Sequence, residues 1–229
     1  MQSNLLIFFA SVSPPNIGRR NIKKRDAFYA MCLKRVRYLL RDRPWEILVV
    51  ENTLSNEQGF QRSALGAAAA GLEVIVLSRN LGSSNKGIGE LDMLTTVLEK
   101  FPIQKFSSVG YMTGRRLVTN PYVFEITERS KDKVVVGNPD FHFLDGKVVE
   151  SEKKGMYGDM YFSMPPKEII AYAKFFQREM TVGLSEGVGS EQLLFQFLCT
   201  REAELVTIEA YGFLRLEPMT LGRTRWHGC

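Results

Sequence analysis

Four stretches in the first half of the chain, NLLIFFASV, WEILVVENT, LEVIVLSRN and KFSSVGYMTGRR, read as strands that end in small or polar residues. The first is apolar at nearly every position, so neither of its faces can be left to water. It has to be a central strand covered on both sides. Segments with the helical period lie between the strands. Over residues 25–40 the apolar side chains Phe28, Met31, Cys32, Val36 and Leu39 recur at helical spacing among basic residues, and Pro44 follows. NEQGFQRSALGAAAAG reads as one alanine-rich helix ended by Gly71, and residues 88–101 as another stopped by Pro102. Strands and helices alternating in this way predict an α/β fold with a mainly parallel central sheet and helices on both faces.

The second half changes character. DKVVVGNPDFHFLDGKVVES predicts two or three short strands with a turn at Asp145-Gly146. PPKEIIAYAKFFQREM opens on prolines, which suit a helix start, and GSEQLLFQFLCTRE is a further helix with Ser190 placed to cap it. AELVTIEAYGFLRLE alternates as a strand does, and TLGRTRWHGC reads as a loose tail. No repeat, low-complexity tract or linker divides the chain, so residues 1–229 are expected to form one domain.

Composition narrows the function classes. At 229 residues, 45% hydrophobic and 24% charged, the chain is globular rather than disordered. No apolar run nears the roughly 18 residues that span a bilayer, and MQSNLLIFFASVSPP reads as a buried strand rather than a signal peptide. Cys32, Cys199 and Cys229 stand far apart and only His142 and His227 accompany them, so no zinc site is predicted. Reduced thiols are expected, with Cys32 and Cys199 on buried helix faces. The net charge of +5 is uneven: residues 16–43 hold ten Lys or Arg against Asp26 and Asp42, which leaves −3 for the remainder. Such a block attracts phosphate, whether on a lipid, a nucleotide or a nucleic acid, or is simply a solvated helix face.

In open α/β sheets, ligands bind at the carboxyl ends of the strands. Four polar clusters fall there: residues 10–14 with Ser11, then Glu51-Asn52-Thr53, Arg79-Asn80, and Thr113-Gly114-Arg115-Arg116. Asparagine and threonine can bond a base or a ribose, and arginine suits a diphosphate through its planar fork. The Asn85-Lys86-Gly87 turn opens a helix, where exposed N–H groups beside a lysine make an anion site, or an ordinary helix start. It is not a P-loop, and no GxGxxG follows the first strand.

Taken together, LLIFFASV, VVENT, LSRNLGSSNKGIGELDML and VGYMTGRR resemble the bacterial glycosyltransferases of capsule and lipopolysaccharide assembly, with their "(D/E)NT", "NKGxGE" and "TGR(Y/R)" segments. The similarity extends through GNPDFHFLDGK, MYFSMPPKEIIAYAKFF and GSEQLLFQFL, nearly the whole chain. The resemblance implies a GT-A-like, Rossmann-type domain. Residues 1–120 would hold a nucleotide-sugar donor and residues 121–229 a saccharide or lipid-linked acceptor, in the cytoplasm or at the inner face of the membrane. The chain departs from the commoner GT-A pattern because no DxD ends the metal-binding strand, so no metal or other cofactor is expected. Arg115 and Arg116, then Arg79 and Lys86, are the candidates to neutralise the leaving nucleoside phosphate; a surface arginine pair is the plainer alternative. Glu191, after a glycine-rich loop, resembles the site of the catalytic base in inverting GT-A enzymes, although a carboxylate there also suits a helix N-terminus. Asp159 is the second candidate. Asp140 and His142 are candidates for acceptor contacts, and Tyr157 for stacking on a sugar ring or for the core.

Two other classes compete. The basic block and a pI near 9.1 suit a nucleic-acid-binding protein, but no RRM, KH or helix-turn-helix pattern occurs and the charge is confined to one segment. A nucleotide-binding scaffold without catalysis is the other.

Overall fold

The computed structural model describes residues 2–14, 18–54, 56–83, 86–137, 141–144, 147–150, 161–186, 190–199, 205–208, 213–216 and 226–228; of 83, 141–144, 147–150, 181–186, 191, 213–216 and 226–228 it describes the backbone alone. Strand β1 (Asn4–Ala10) is buried along its whole length. Its odd positions Leu5, Ile7 and Phe9 enter one apolar cluster, and its even positions Leu6, Phe8 and Ala10 enter the other. A strand so placed organises two layers of helix at once.

The chain runs from β1 through α1 (Arg19–Leu40) to β2 (Trp45–Glu51), then through α2 (Glu57–Gln61) and α3 (Ala64–Ala68) to β3 (Glu73–Val76). Helix α4 (Lys86–Lys100) leads to β4 (Val109–Thr113) and β5 (Arg116–Val118), and α5 (Tyr122–Arg129) to β6 (Val134–Gly137). After the hairpin β7 (Phe141–Leu144) and β8 (Lys147–Glu150) come β9 (Tyr161–Met164), α6 (Pro166–Glu186) and α7 (Ser190–Cys199). Three short strands follow: β10 (Leu205–Ile208), β11 (Phe213–Leu216) and β12 (Trp226–Gly228). The central sheet has seven strands in the order β10-β6-β9-β4-β1-β2-β3. Only β9 is reversed, pairing antiparallel with β4 and β6, while every other pair is parallel. Helices α4, α6 and α7 cover one face of the sheet, and α1, α3 and α5 the other. Chain order reverses beside β1, with β2 on one side and β4 on the other, and this is where a crevice opens at the carboxyl ends of the strands.

Several expectations are corrected. The alanine-rich segment is two helices, each with its own N-cap, and the second cap interrupts it. The Asn56 side chain accepts from Gly59 N–H (2.8 Å) and Ser63 Oγ from Gly66 N–H (2.9 Å). Gly66 also lies against the backbone of Phe60, where a Cβ would stand 2.0 Å from the carbonyl oxygen. Helix α1 begins at Arg19, not at residue 25, and it turns Met31 out to solvent while burying Arg25. The fourth strand stops at Thr113, and Arg116 starts β5 in a separate sheet of order β12-β11-β5. AELVTIEAYGFLRLE is β10 and β11, in different sheets. Residues Trp226–Gly228 of the expected loose tail pair with β11, whose outer backbone groups need partners. Cys32 is buried as expected but Cys199 is exposed. The buried stripe of α7 is Ser190, Leu193, Leu194, Phe197 and Leu198, and position 199 rotates off it. No helix among the described residues is long and apolar enough to cross a membrane.

Candidate functional site

The loops after β1 and β2 are latched by a buried carboxylate. Glu51 is fully buried at the end of β2. Its Oε1 accepts from Val12 N–H (3.0 Å) and from the Thr53 hydroxyl, and its Oε2 from Thr53 N–H (2.9 Å) and Leu54 N–H (2.6 Å). Ser13 N–H donates to Thr53 Oγ1 at 2.7 Å, and the Ser11 hydroxyl to Asn52 Oδ1 at 2.7 Å. Ser11, Asn52 and Thr53 are thereby held side by side at the head of the sheet.

A second close approach joins β3's loop to α4. Gly82 N–H donates to Asn80 Oδ1 (3.0 Å), and Gly82 lies so near Gly89 that a Cβ on Gly89 would stand 2.8 Å from Gly82 Cα. The turn after β4 is pressed down in the same way. Gly114 N–H donates to the Phe9 carbonyl (2.7 Å), and a Cβ there would stand 2.5 Å from the Phe8 ring. With no side chain at 114, the turn lies flat over β1.

These loops enclose a cleft of about 270 Å³. Phe9, Tyr111 and Met93 are among its lining, the two rings 4.5 Å apart. Ser11, Asn52, Thr53, Asn80 and Thr113 contribute amides and hydroxyls, Arg25 and Tyr29 come from α1, Lys86 and Glu90 from α4, and Arg115 from the turn after β4. Lys86 pairs with Glu90 at 3.0 Å. Arg25 is only 6% exposed. Its Nε donates to the Ser11 carbonyl (2.5 Å) and its Nη2 to the Tyr29 hydroxyl (3.2 Å). Burial pushes its pKa down, Tyr29 opposes that, and the charge of Arg115 adds to it.

Of the residues singled out in the sequence, Ser11, Asn52, Thr53, Asn80, Lys86, Thr113 and Arg115 line the cleft. Glu51 and Gly114 shape it from beneath. Gly87 is buried in α4, away from the lining. Arg79 turns instead to Asp92, donating from Nη2 at 2.6 Å. Arg116 starts β5 and acts electrostatically on Cys32 of α1. Asn85, Asp140, Tyr157 and Asp159 lie outside the described residues, and of His142 and Glu191 only the backbone is described. Arg25 and Tyr29 went unread. The available signal was a basic residue in phase with the buried stripe Tyr29, Cys32, Leu33, Val36 and Leu40.

The basic block is also partly internal. Arg35 donates to the carbonyls of Val118 (3.1 Å) and Thr119 (2.6 Å), Arg37 to those of Ala68 and Ala70, and Arg43 to Glu125 and Glu128. Among the described residues no three His, Cys, Asp or Glu side chains gather as a metal site. The second-half carboxylates Asp140, Asp145 and Asp159 are not among those residues.

No protein-family model matches the chain, and no curated protein does. Among solved structures, an inferred nucleotide-diphospho-sugar transferase from Desulfovibrio desulfuricans G20 superposes with a TM-score of 0.54 at 10% identity, over 91% of this chain and 80% of its own. At that identity the likeness is one of fold. The architecture is GT-A-like: a Rossmann-type α/β domain with a mostly parallel seven-stranded sheet.

Proposed function

We propose that the chain is a glycosyltransferase that moves a sugar from a nucleotide-sugar donor to a saccharide or lipid-linked acceptor, without a metal ion, in surface polysaccharide assembly. The observation that carries this reading is the cleft at the carboxyl ends of β1, β2 and β4, where hydroxyls and amides that suit a base and ribose stand beside cations that suit a diphosphate. Residues 1–120 would hold the donor and residues 121–229 the acceptor. In an inverting transfer the acceptor hydroxyl attacks the anomeric carbon. The bond from that carbon to the phosphate oxygen breaks with its electron pair on the phosphate, and the acceptor proton passes to a carboxylate. Glu191 is the first candidate for that base and Asp159 the second. Guanidinium groups stabilise the charge that grows on the leaving phosphate, the work a divalent ion does in many such enzymes.

A thermal-shift panel with UDP, GDP, CMP and their sugars, each with and without chelator, tests this reading. A ligand bound only by the folded state raises the melting temperature. A sugar nucleotide should do so equally in chelator, and full dependence on Mg²⁺ or Mn²⁺ would refute metal independence. Stabilisation by oligonucleotides alone would favour the nucleic-acid-binding reading.

The outer face of α1 supports a membrane-surface location for the same enzyme. Arg20, Lys23, Lys24 and Lys34 are exposed along it, with Met31 42% and Tyr38 55% exposed among them. Salt-sensitive association with anionic vesicles is expected, and no binding at low salt would refute it.

A further inference from the structure

Two cations of the cleft have no carboxylate partner among the described residues, while others nearby do. Lys86 is held by Glu90, Arg79 by Asp92, and Arg43 by Glu125 and Glu128. Arg25 and Arg115 have no ion pair among the described residues, yet both line the cleft, near enough that the charge of Arg115 bears on Arg25. Arg25 is more than nine-tenths buried, and its Nη1 has no hydrogen-bond partner among the described residues. A third group points the same way. Thr113 Oγ1, at the end of β4, is buried, has no partner among the described residues and belongs to a residue lining the same cleft. Guanidinium groups remain charged in proteins, so this like-charge pair cannot be relieved by losing a proton. A buried hydroxyl without a partner is itself destabilising. One ligand chemistry answers all three: an anion with several oxygens.

We propose that Arg25, Arg115 and Thr113 form the subsite for the diphosphate of the donor, bridged by the two guanidinium groups and bonded by the threonine hydroxyl. This rests on the nucleotide-sugar reading and deepens it. It transfers the phosphate-holding role from Arg79 and Arg116, which do not line the cleft, to a residue of α1. Arg25 serves two ends here, since the guanidinium that meets the ligand also holds the Ser11 carbonyl and so fixes the loop beside the ribose-binding hydroxyls.

The test is calorimetric titration of the full chain with inorganic pyrophosphate, UDP, GDP and CMP in chelator, for the wild type, Arg25→Lys, Arg115→Gln and Arg79→Gln. A nucleoside diphosphate is expected to bind with a dissociation constant raised roughly 10- to 100-fold by either cleft substitution, the loss of one or two charge-assisted hydrogen bonds. Arg79→Gln should leave it unchanged. Because Arg115 has no structural partner among the described residues, the free Arg115→Gln protein should melt no lower than the wild type. A merely structural arginine would give the opposite sign, and this readout stands even if Arg25→Lys folds poorly. Nucleotide binding unaffected by Arg115→Gln overturns the subsite and leaves the sugar-nucleotide reading intact. Binding that appears only with added Mg²⁺ or Mn²⁺ overturns it as well. Pyrophosphate binding that depends on both arginines, with no gain from any nucleoside, supports the subsite and removes the nucleotide-sugar reading.

Discussion

Replacing Glu51 by glutamine separates a ligand contact from a latch. The carboxylate is fully buried and accepts from three backbone N–H groups, those of Val12, Thr53 and Leu54, and from the Thr53 hydroxyl. Glutamine keeps the shape but carries one oxygen. In either orientation its NH₂ must face at least one N–H donor, and the bonds that survive lose their charge assistance. A buried donor left without an acceptor is destabilising by about 1–3 kcal/mol, and weakening the others adds to that. We therefore expect Glu51→Gln to lose about 2–4 kcal/mol and Glu51→Ala about 3–5 kcal/mol. For a chain of this length the glutamine loss is a fall of roughly 4–16 °C in Tm, at about 2–4 °C per kcal/mol. Urea and thermal melts measure it, with the exposed Glu73→Gln as a control that should stay within about 0.5 kcal/mol. A Glu51→Gln protein that melts like the wild type but no longer binds nucleotide would refute the latch and make the carboxylate a ligand contact.

Gly89→Ala should loosen the cleft and press on one of its amides, because the new methyl meets Gly82 Cα at 2.8 Å and Asn52 Nδ2 at 3.3 Å; overpacking of this kind is destabilising by about 1–3 kcal/mol, and thermal melts with nucleotide titration will show both losses together. Burial pushes the Cys32 thiol up to about 12, against the pull of Arg116, while Cys199 is exposed. In a Cys229→Ser background at neutral pH, one fast alkylation is thus expected, at Cys199, by peptide mass mapping. The same shift has a stability sign: the contribution is full below the ordinary thiol value of 9.0 and declines as pH rises from there toward 12, so the gap between wild type and Cys32→Ala should narrow over that window. Thr127 Oγ1 lies 2.7 Å from the Tyr161 hydroxyl and 2.9 Å from Ser163 Oγ, a buried cluster joining α5 to the reversed strand; a double-mutant cycle of Thr127→Val with Tyr161→Phe should give a coupling of about 1 kcal/mol or more in urea melts, and strictly additive losses would count against a shared network.

Strand β1 was legible because burial on both faces leaves no polar position after Asn4, and the four strand ends followed from the alternation that such a strand imposes. Seven of the cleft residues were within reach of the sequence, six at those strand ends and Lys86 at the start of α4: Ser11, Asn52, Thr53, Asn80, Lys86, Thr113 and Arg115. What escaped depends on contacts between distant parts of the chain. Asp26 receives the N–H groups of Ala64 and Leu65 (2.7 and 2.9 Å), which helps split the alanine-rich segment into two helices, and no pattern local to that segment encodes Asp26. The charges escaped for the same reason. Within the basic block, Arg25, Arg35, Arg37 and Arg43 look alike by composition to Arg20, Lys23 and Lys24, yet the first four are tied to carbonyls, a phenol and carboxylates inside the fold. Only three-dimensional partnership sorts them. A cation with a full set of protein acceptors is structural, one in open water is available to a surface, and one held in a cleft beside a second cation needs a ligand to complete it. By that criterion the proposed phosphate-binding groups are Arg25 and Arg115, drawn from a helix and a turn about ninety residues apart in sequence, and a pair so separated acquires meaning only once β4 lies beside β1.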